Sequence, residues 1–418
     1  MPNPYGALFR APGSVAFSAA GFVARMPLSM AGIGIITMLS QMRGEYGLAG
    51  AVSAAFTLST ALCGPRISRL VDRRGQGRVL LPATGAGVLA MGVLLLCARY
   101  DAPVWTLFVS AVVAGTMPNM AAMVRARWTH VYRGSDRLHT AYSLESVVDE
   151  LTFVVGPALS VALSTALFPE AGPLVAAVLL ILGVLLFVPQ KRTEPPVIRH
   201  SADGTPAASA LRGGPLALAL LALTLVAGGT IVGTVDVVSV AFAEEQGSPA
   251  GAGIVLSVYA VGSAGAGLAF GALGLTTPLP RLLLLSTAGT ALTTFPLLLV
   301  SDLATLSAAV FFSGLFFAPT MIVVMGLVER TVPPAALTEG MTWAITGLSV
   351  GVALGASLSG GMVDRFGPSG GFAVAIAAGG ATVLLALTAQ RPLSRSLRES
   401  AGDPAGPSAD EGHAKAAP

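Results

Sequence analysis

Five ionisable side chains stand inside otherwise apolar runs of this chain: Arg25, Glu145, Asp149, Glu150 and Asp236. A charge at the centre of a membrane-inserted helix costs about 2.5–3.5 kcal/mol. Five unpaired charges would therefore approach the whole stability of a typical domain, about 5–15 kcal/mol, so they must be paired, protonated or hydrated. Glu145, Asp149, Thr152 and Gly156 follow i, i+4, i+7, i+11 spacing, which places them on one helical face. Glu150 points about 100° away from that face. Counted from the same side, Arg25 and Asp149 lie at similar depths at a rise of about 1.5 Å per residue, and the two are expected to be able to form an ion pair. A carboxyl group in a partly dry site can take up and release a proton near neutral pH, with an arginine holding the counter-charge. Three readings follow: Asp149 or Glu145 carries a coupling proton while Arg25 holds the counter-charge or the substrate, or the charges form a static buried pair that orients helices, or Glu145 merely reaches for the cytoplasmic surface.

The elements that must position these residues are membrane helices. Of 418 residues, 54% are hydrophobic and 11% charged, against about 25% charged in an ordinary soluble domain. A bilayer-crossing helix needs about 20 mainly apolar residues, and the chain divides into twelve such runs: Ser14–Gln41, Tyr46–Cys63, Val79–Ala98, Val104–Val124, Thr140–Phe168, Leu174–Val188, Pro215–Ala243, Pro249–Leu275, Leu282–Val300, Ala304–Val328, Thr338–Met362 and Gly371–Ala389. The fold class expected is an all-α polytopic membrane protein. It comprises an amino-terminal six-helix bundle (1–188), a flexible polar linker (189–214), a second six-helix bundle (215–389) and a polar, disordered tail (390–418).

With the amino terminus placed in the cytoplasm, twenty of the 24 lysines and arginines fall on the cytoplasmic side, the positive-inside signature. Both termini are then cytoplasmic, in the cell membrane. The net charge of +3 belongs to loops and not to a basic face, so no nucleic-acid partner is expected. Cys63 and Cys97 fall at opposite ends of adjacent helices, which excludes a disulfide between them. The four histidines lack metal-ligand spacing. With no intramembrane histidine and no plausible nucleophile–base set, neither enzyme activity nor a cofactor is expected.

The two halves show weak likeness at an offset near 200 residues, as duplicated transporter folds do. AGTMPNM at Ala114–Met120 answers SGLFFAPTM at Ser313–Met321, and Gly156-Pro157 answers Gly355-Ala356. Between the second and third runs lies GPRISRLVDRRGQGR, Gly64 to Arg78. With six spans on either side of a linker, this hairpin makes the chain resemble the major facilitator superfamily over Ser14 to Ala389, and in particular its proton-coupled exporters. The family's hairpin pattern is matched at Asp72, Arg73, Arg74 and Gly75. Ser68 stands at its first glycine position, and Gln76-Gly77 replace the paired basic residues, with Arg78 one step later. A similar string, Gly361-Met-Val-Asp364-Arg365-Phe-Gly367, falls on the opposite face and is expected to be a turn.

The resemblance implies a secondary active transporter moving a small organic molecule by alternating access. It implies that the hairpin cluster Asp72, Arg73, Arg74, Gly75 and Arg78 latches the halves on the cytoplasmic side, with Glu339 as a candidate acidic partner. Gly156 and Pro157 match part of a motif that the superfamily's antiporters carry on the fifth span, whereas the arginine-glutamine-glycine motif of the fourth is absent from SAVVAGTMPNMAAM. In this fold Arg25, Asn119, Asp236 and the Glu145/Asp149 face would reach a central aqueous path, with Glu150 beside it. The expected partners are a small-molecule substrate, protons and the lipid bilayer, and the expected state is a monomer. Proton-driven export is the first reading, and proton-coupled nutrient uptake or a non-transporting membrane sensor or scaffold are the alternatives.

Overall fold

The structure, a computed structural model, describes residues 4–133, 135, 137–197, 215–272, 277–332 and 337–401. It is helical throughout. A short α1 (Pro4–Leu8) precedes α2 (Ser14–Arg43), α3 (Tyr46–Arg74) and α4 (Gln76–Arg99). Then come α5 (Val104–Ala114), α6 (Met120–Val131), α7 (Arg137–Ala166) and α8 (Ala171–Phe187). The second half holds α9 (Pro215–Glu245), α10 (Gly251–Ala272), α11 (Leu279–Thr294), α12 (Leu303–Thr331) and α13 (Leu337–Ala401). Among the described residues nine helical stretches are long and apolar enough to cross a membrane, and one of these, Gly340–Arg395, is 56 residues long. It folds back at Gly367 (φ 73°, ψ 179°) into two limbs. With α8 and the pair α5–α6, the helices make twelve crossings in two groups of six.

Several boundaries differ from the sequence reading. The second run does not end at Cys63: α3 continues to Arg74 and α4 begins at Gln76, so the expected hairpin from Gly64 to Arg78 is helical except at Gly75. The fourth run is not one helix to Val124: it breaks after Ala114 and resumes at Met120 as α6, which continues to Val131. Pro118 supplies no amide for a helical bond, and Asn119 caps the new helix by accepting the Ala122 N–H at 3.1 Å. Gly115, at the end of α5, lets the break lie close against α3, since a Cβ there would lie 2.6 Å from the Phe56 carbonyl oxygen. At the carboxyl end, α13 runs past Ala389 to Ala401, so residues 390–401 of the expected tail are helical.

The expected flexible linker instead begins as an ordered strap. Arg127, fully buried on α6, donates to Gln76, to the Gln190 carbonyl and to Thr193, and its guanidinium lies 3.7 Å from the centre of the Phe187 ring. Glu194 accepts the Gly77 N–H at 2.7 Å and pairs with Lys191. Burial would raise the Glu194 carboxyl, but the Gly77 amide, Lys191 and Arg127 together hold it below the usual range. Residues 198–214 and 402–418 lie outside the described residues.

The halves meet along two seams, α3 against the first limb of α13 and α7 against α10. Small residues let these backbones approach. A Cβ on Gly50 would sit 2.1 Å from the Ala356 carbonyl oxygen, and one on Gly253 would sit 2.7 Å from Ala158 Cα. The ends of the molecule differ in composition. One carries the Arg66–Arg78 hairpin, and the other carries Arg43, Glu45, Glu244 and Asp364; they are called here the hairpin end and the acidic end.

Candidate functional site

Arg25 projects from α2, where Ala24, Met26 and Pro27 around it are also buried, and is itself only 3% exposed. Its two terminal nitrogens reach the two carboxylates that α7 presents one turn apart. One donates to Asp149 Oδ1 at 2.8 Å and the other to Glu145 Oε2. The ion pair expected from depth alone is thus present, and Glu145, 1% exposed, is a full member of it. Its burial leaves no reach to the surface.

Two partners come from α6. The Trp128 Nε1–H donates to the second Glu145 oxygen at 2.8 Å, and Arg125 donates to Asp149 Oδ2 at 2.5 Å. Trp128 is fixed in turn by the Phe17 ring at 4.6 Å and the stacked Tyr132 ring at 5.9 Å. The sequence reading ends the fourth span at Val124, which leaves Arg125 and Trp128 just beyond it. Their three-residue spacing would put both on one face of a helix, provided the span is carried past Val124.

The arrangement is charge-balanced, two guanidinium groups against two carboxylates, and it has a sealed edge and an open one. Arg25 and Glu145 side chains are 2% and 1% exposed, whereas Asp149 and Arg125 are 27% and 35% exposed. Asp149 is therefore the more exposed of the two carboxylates, and it is shared by both arginines. Arg25 Nε has no hydrogen-bond partner among the described residues.

The other expected residues lie apart from this network. Asn119 is exposed at the break before α6, with its side chain engaged in the cap. Glu150 is exposed. It shares a face of α7 with Val154, whose carbonyl accepts the Ser257 hydroxyl at 2.6 Å, and with Ala158 at Gly253. It therefore stands where the α7–α10 seam runs on toward the hairpin end. Asp236, on α9, is within electrostatic reach of Tyr259 on α10, whose ring centre lies 6.3 Å from that of Phe317 on α12. Gly156 packs α7 against Ser29 of α2, and Pro157 follows it inside the helix.

At the hairpin end Gly75 alone separates α3 from α4, with φ 88°, a conformation that favours glycine. Asp72, Arg73 and Arg74 are exposed, Arg78 stands in the first turn of α4, and Asp72 pairs with no described residue. Glu339 belongs to the first turn of α13, and its side chain lies outside the described residues. Both cysteines are free and half-buried. Among the described residues no group of histidine, cysteine, aspartate and glutamate could hold a metal ion.

Twelve crossings in two seamed groups, with compensated charges buried beside a helix break, define a polytopic membrane protein. The family model described as Major Facilitator Superfamily matches residues 17–242 and 223–416, and the chain belongs to that superfamily. A search of curated proteins gives no match. Among solved structures, a variant of the nucleoside transporter NupG aligns with a TM-score of 0.74 at 14% identity, covering 91% of this chain and 99% of its own. A peptide transporter POT in complex with sulfate aligns at 0.72 and 15% identity, covering 92% and 95%. The POT family transporter PepTSo aligns at 0.67 and 12%, covering 93% and 99%. At these identities the likeness establishes the fold alone.

Proposed function

We propose that this chain is a proton-coupled exporter of a small organic molecule, with Asp149 as the carboxylate that binds the coupling proton. The observation that carries the reading is the sharing of the partly exposed Asp149 between Arg25 and Arg125 while Glu145 is buried beside it. Protonating Asp149 would remove one negative charge from a balanced set. Arg25 would keep Glu145, and Arg125, the more exposed arginine, would be released toward the aqueous path. A cationic ligand group would be drawn to the site only while Asp149 is ionised, so ligand and proton would compete for the same carboxylate, which is the exclusivity that exchange of proton for substrate requires. Gly156-Pro157, of which Gly156 packs against Ser29 of α2, supports export by its likeness to the antiporter motif. Arg25, Glu145, Asn119, Glu150 and Asp236 contribute to the path.

In this reading the bundles are residues 1–188 and 215–389, the linker is 189–214, and the protein works as a monomer in the cell membrane. Both termini and the hairpin end face the cytoplasm, and Asp72, Arg73, Arg74, Gly75 and Arg78 meet the start of α13, with Glu339, when that end closes. The test uses purified protein in liposomes. Asp149→Asn should abolish uphill, proton-driven flux while retaining downhill exchange of substrate. Unchanged proton-driven flux in that variant removes Asp149 from the coupling role. Inverted vesicles with an imposed pH gradient, screened for compounds that collapse it, identify the substrate; collapse only in the opposite vesicle orientation assigns uptake instead.

A further inference from the structure

The two corners of the molecule that the sequence pairs by likeness are built alike. Val71-Asp72-Arg73-Arg74-Gly75 ends α3, and Val363-Asp364-Arg365-Phe366-Gly367 ends the first limb of α13. In each the valine is buried, at 4% and 6% exposed, and the aspartate stands one residue beyond it. In each the glycine is the sole non-helical residue before the next helix, with φ 88° and ψ 151° at Gly75 and φ 73° and ψ 179° at Gly367. The helices they end are partners in one seam. Gly360 approaches the Tyr46 carbonyl and Gly50 approaches the Ala356 carbonyl, so α3 and this limb of α13 run antiparallel, with the Gly367 corner beside the start of α3.

The corner expected to be a simple turn is engaged. Asp364 Oδ1 accepts the Tyr46 N–H at 2.8 Å and Oδ2 accepts the Gly47 N–H at 2.6 Å, so one carboxylate from the second bundle takes two unsatisfied amides at the start of α3 in the first. Room for it exists because residue 47 has no Cβ, which would lie 2.7 Å from Oδ2. Glu244 reinforces the contact by accepting the Tyr46 and Ser40 hydroxyls. Continuing the antiparallel register brings the last turn of α3, with Asp72, level with the start of α13 at Leu337; there Asp72 is exposed and pairs with no described residue.

We infer that Asp364 is the acidic-end latch of the transport cycle, the counterpart of Asp72, and that each aspartate caps the other helix's amino terminus when its own end is shut. The inference rests on alternating access between the two bundles. In the captured conformation the Asp364 latch is closed and the Asp72 latch is open. Opening the acidic end must break the bonds to Tyr46 and Gly47 while Asp72 gains the start of α13.

The test is a pair of spin-label distances on the full chain in lipid nanodiscs, with Cys63 and Cys97 replaced by alanine. One pair, at Tyr100 and Gln246, spans the acidic end, and the other, at Arg69 and Arg330, spans the hairpin end. Asp364→Asn keeps the side chain's shape, and should shift the balance toward an open acidic end by about tenfold, the worth of a charged cap of this kind. Asp72→Asn should shift it the opposite way. Asp364→Glu, which restores the charge, should recover much of the closed population. If both distances interconvert in the parent protein yet Asp364→Asn leaves the balance unchanged, Asp364 is no latch although alternation stands. A parent protein that shows one distance at each end, with and without a pH gradient, overturns the latch and the alternating-access reading together.

Discussion

Removing Arg25 should expose how the buried charges hold α2, α6 and α7 together. In Arg25→Ala, Asp149 keeps Arg125 and is 27% exposed, so its loss is worth only about 0–1 kcal/mol after solvent screening. Glu145 is different: at 1% exposed it would retain a single donor, the Trp128 indole. Stranding a buried partner in this way costs about 3–5 kcal/mol. Adding Glu145→Gln removes the stranded charge while its amide oxygen can still accept from Trp128. The double variant should therefore recover most of the loss, leaving about 1–2 kcal/mol for missing hydrogen bonds and packing. Size-exclusion thermostability in detergent reads this as apparent midpoints, ranked and not converted, because unfolding of such proteins is commonly irreversible. The expected order is parent, then the double variant, then Arg25→Ala. If Arg25→Ala melts with the parent, or the double variant melts no higher than the single, the charge-balance reasoning is wrong. With assembly restored, flux in the double variant separates roles: returning transport makes the pair an orienting contact, and absent transport keeps it in the cycle.

Trp128→Phe deletes the donor to Glu145 while keeping most of the ring contacts with Phe17 and Tyr132, and should lower stability by about 1–3 kcal/mol; a midpoint equal to the parent's would deny that hydrogen bond any weight. Gly253→Leu puts side-chain atoms where Cβ alone would lie 2.7 Å from Ala158 Cα, and overpacking of this kind costs about 1–3 kcal/mol. Parent-like melting and transport in that variant would mean the α7–α10 seam does not need close approach. For the strap, the Glu194 carboxyl is held below its ordinary range in the folded chain. Its contribution is therefore complete above the unfolded value, about 4.3, and is lost as pH falls through the lower folded value. A spin label at the exposed Arg192 should stay immobilised at pH 5 and loosen only at more acid pH; loosening at pH 6 would contradict the pairing with Gly77 and Lys191.

Hydropathy and charge bias specify the crossings because each depends on a local property, the length of apolar chain needed to traverse hydrocarbon. That is why the starts of α2, α3 and α7 through α9 fall within a few residues of the sequence reading, and why the depth match of Arg25 with Asp149 was readable from residue rise alone. The tertiary structure decided what local averaging cannot express. Arg125 and Arg127 look like loop charges in a hydropathy window, yet α6 carries one to Asp149 and buries the other against Gln76 and the strap. An arginine's cost at depth is cancelled by carboxylates and carbonyls on other helices, and no window along one helix contains them. The same holds for Asp364, a turn residue by sequence and a cap on α3 in space, since its partners Tyr46 and Gly47 lie more than 300 positions away.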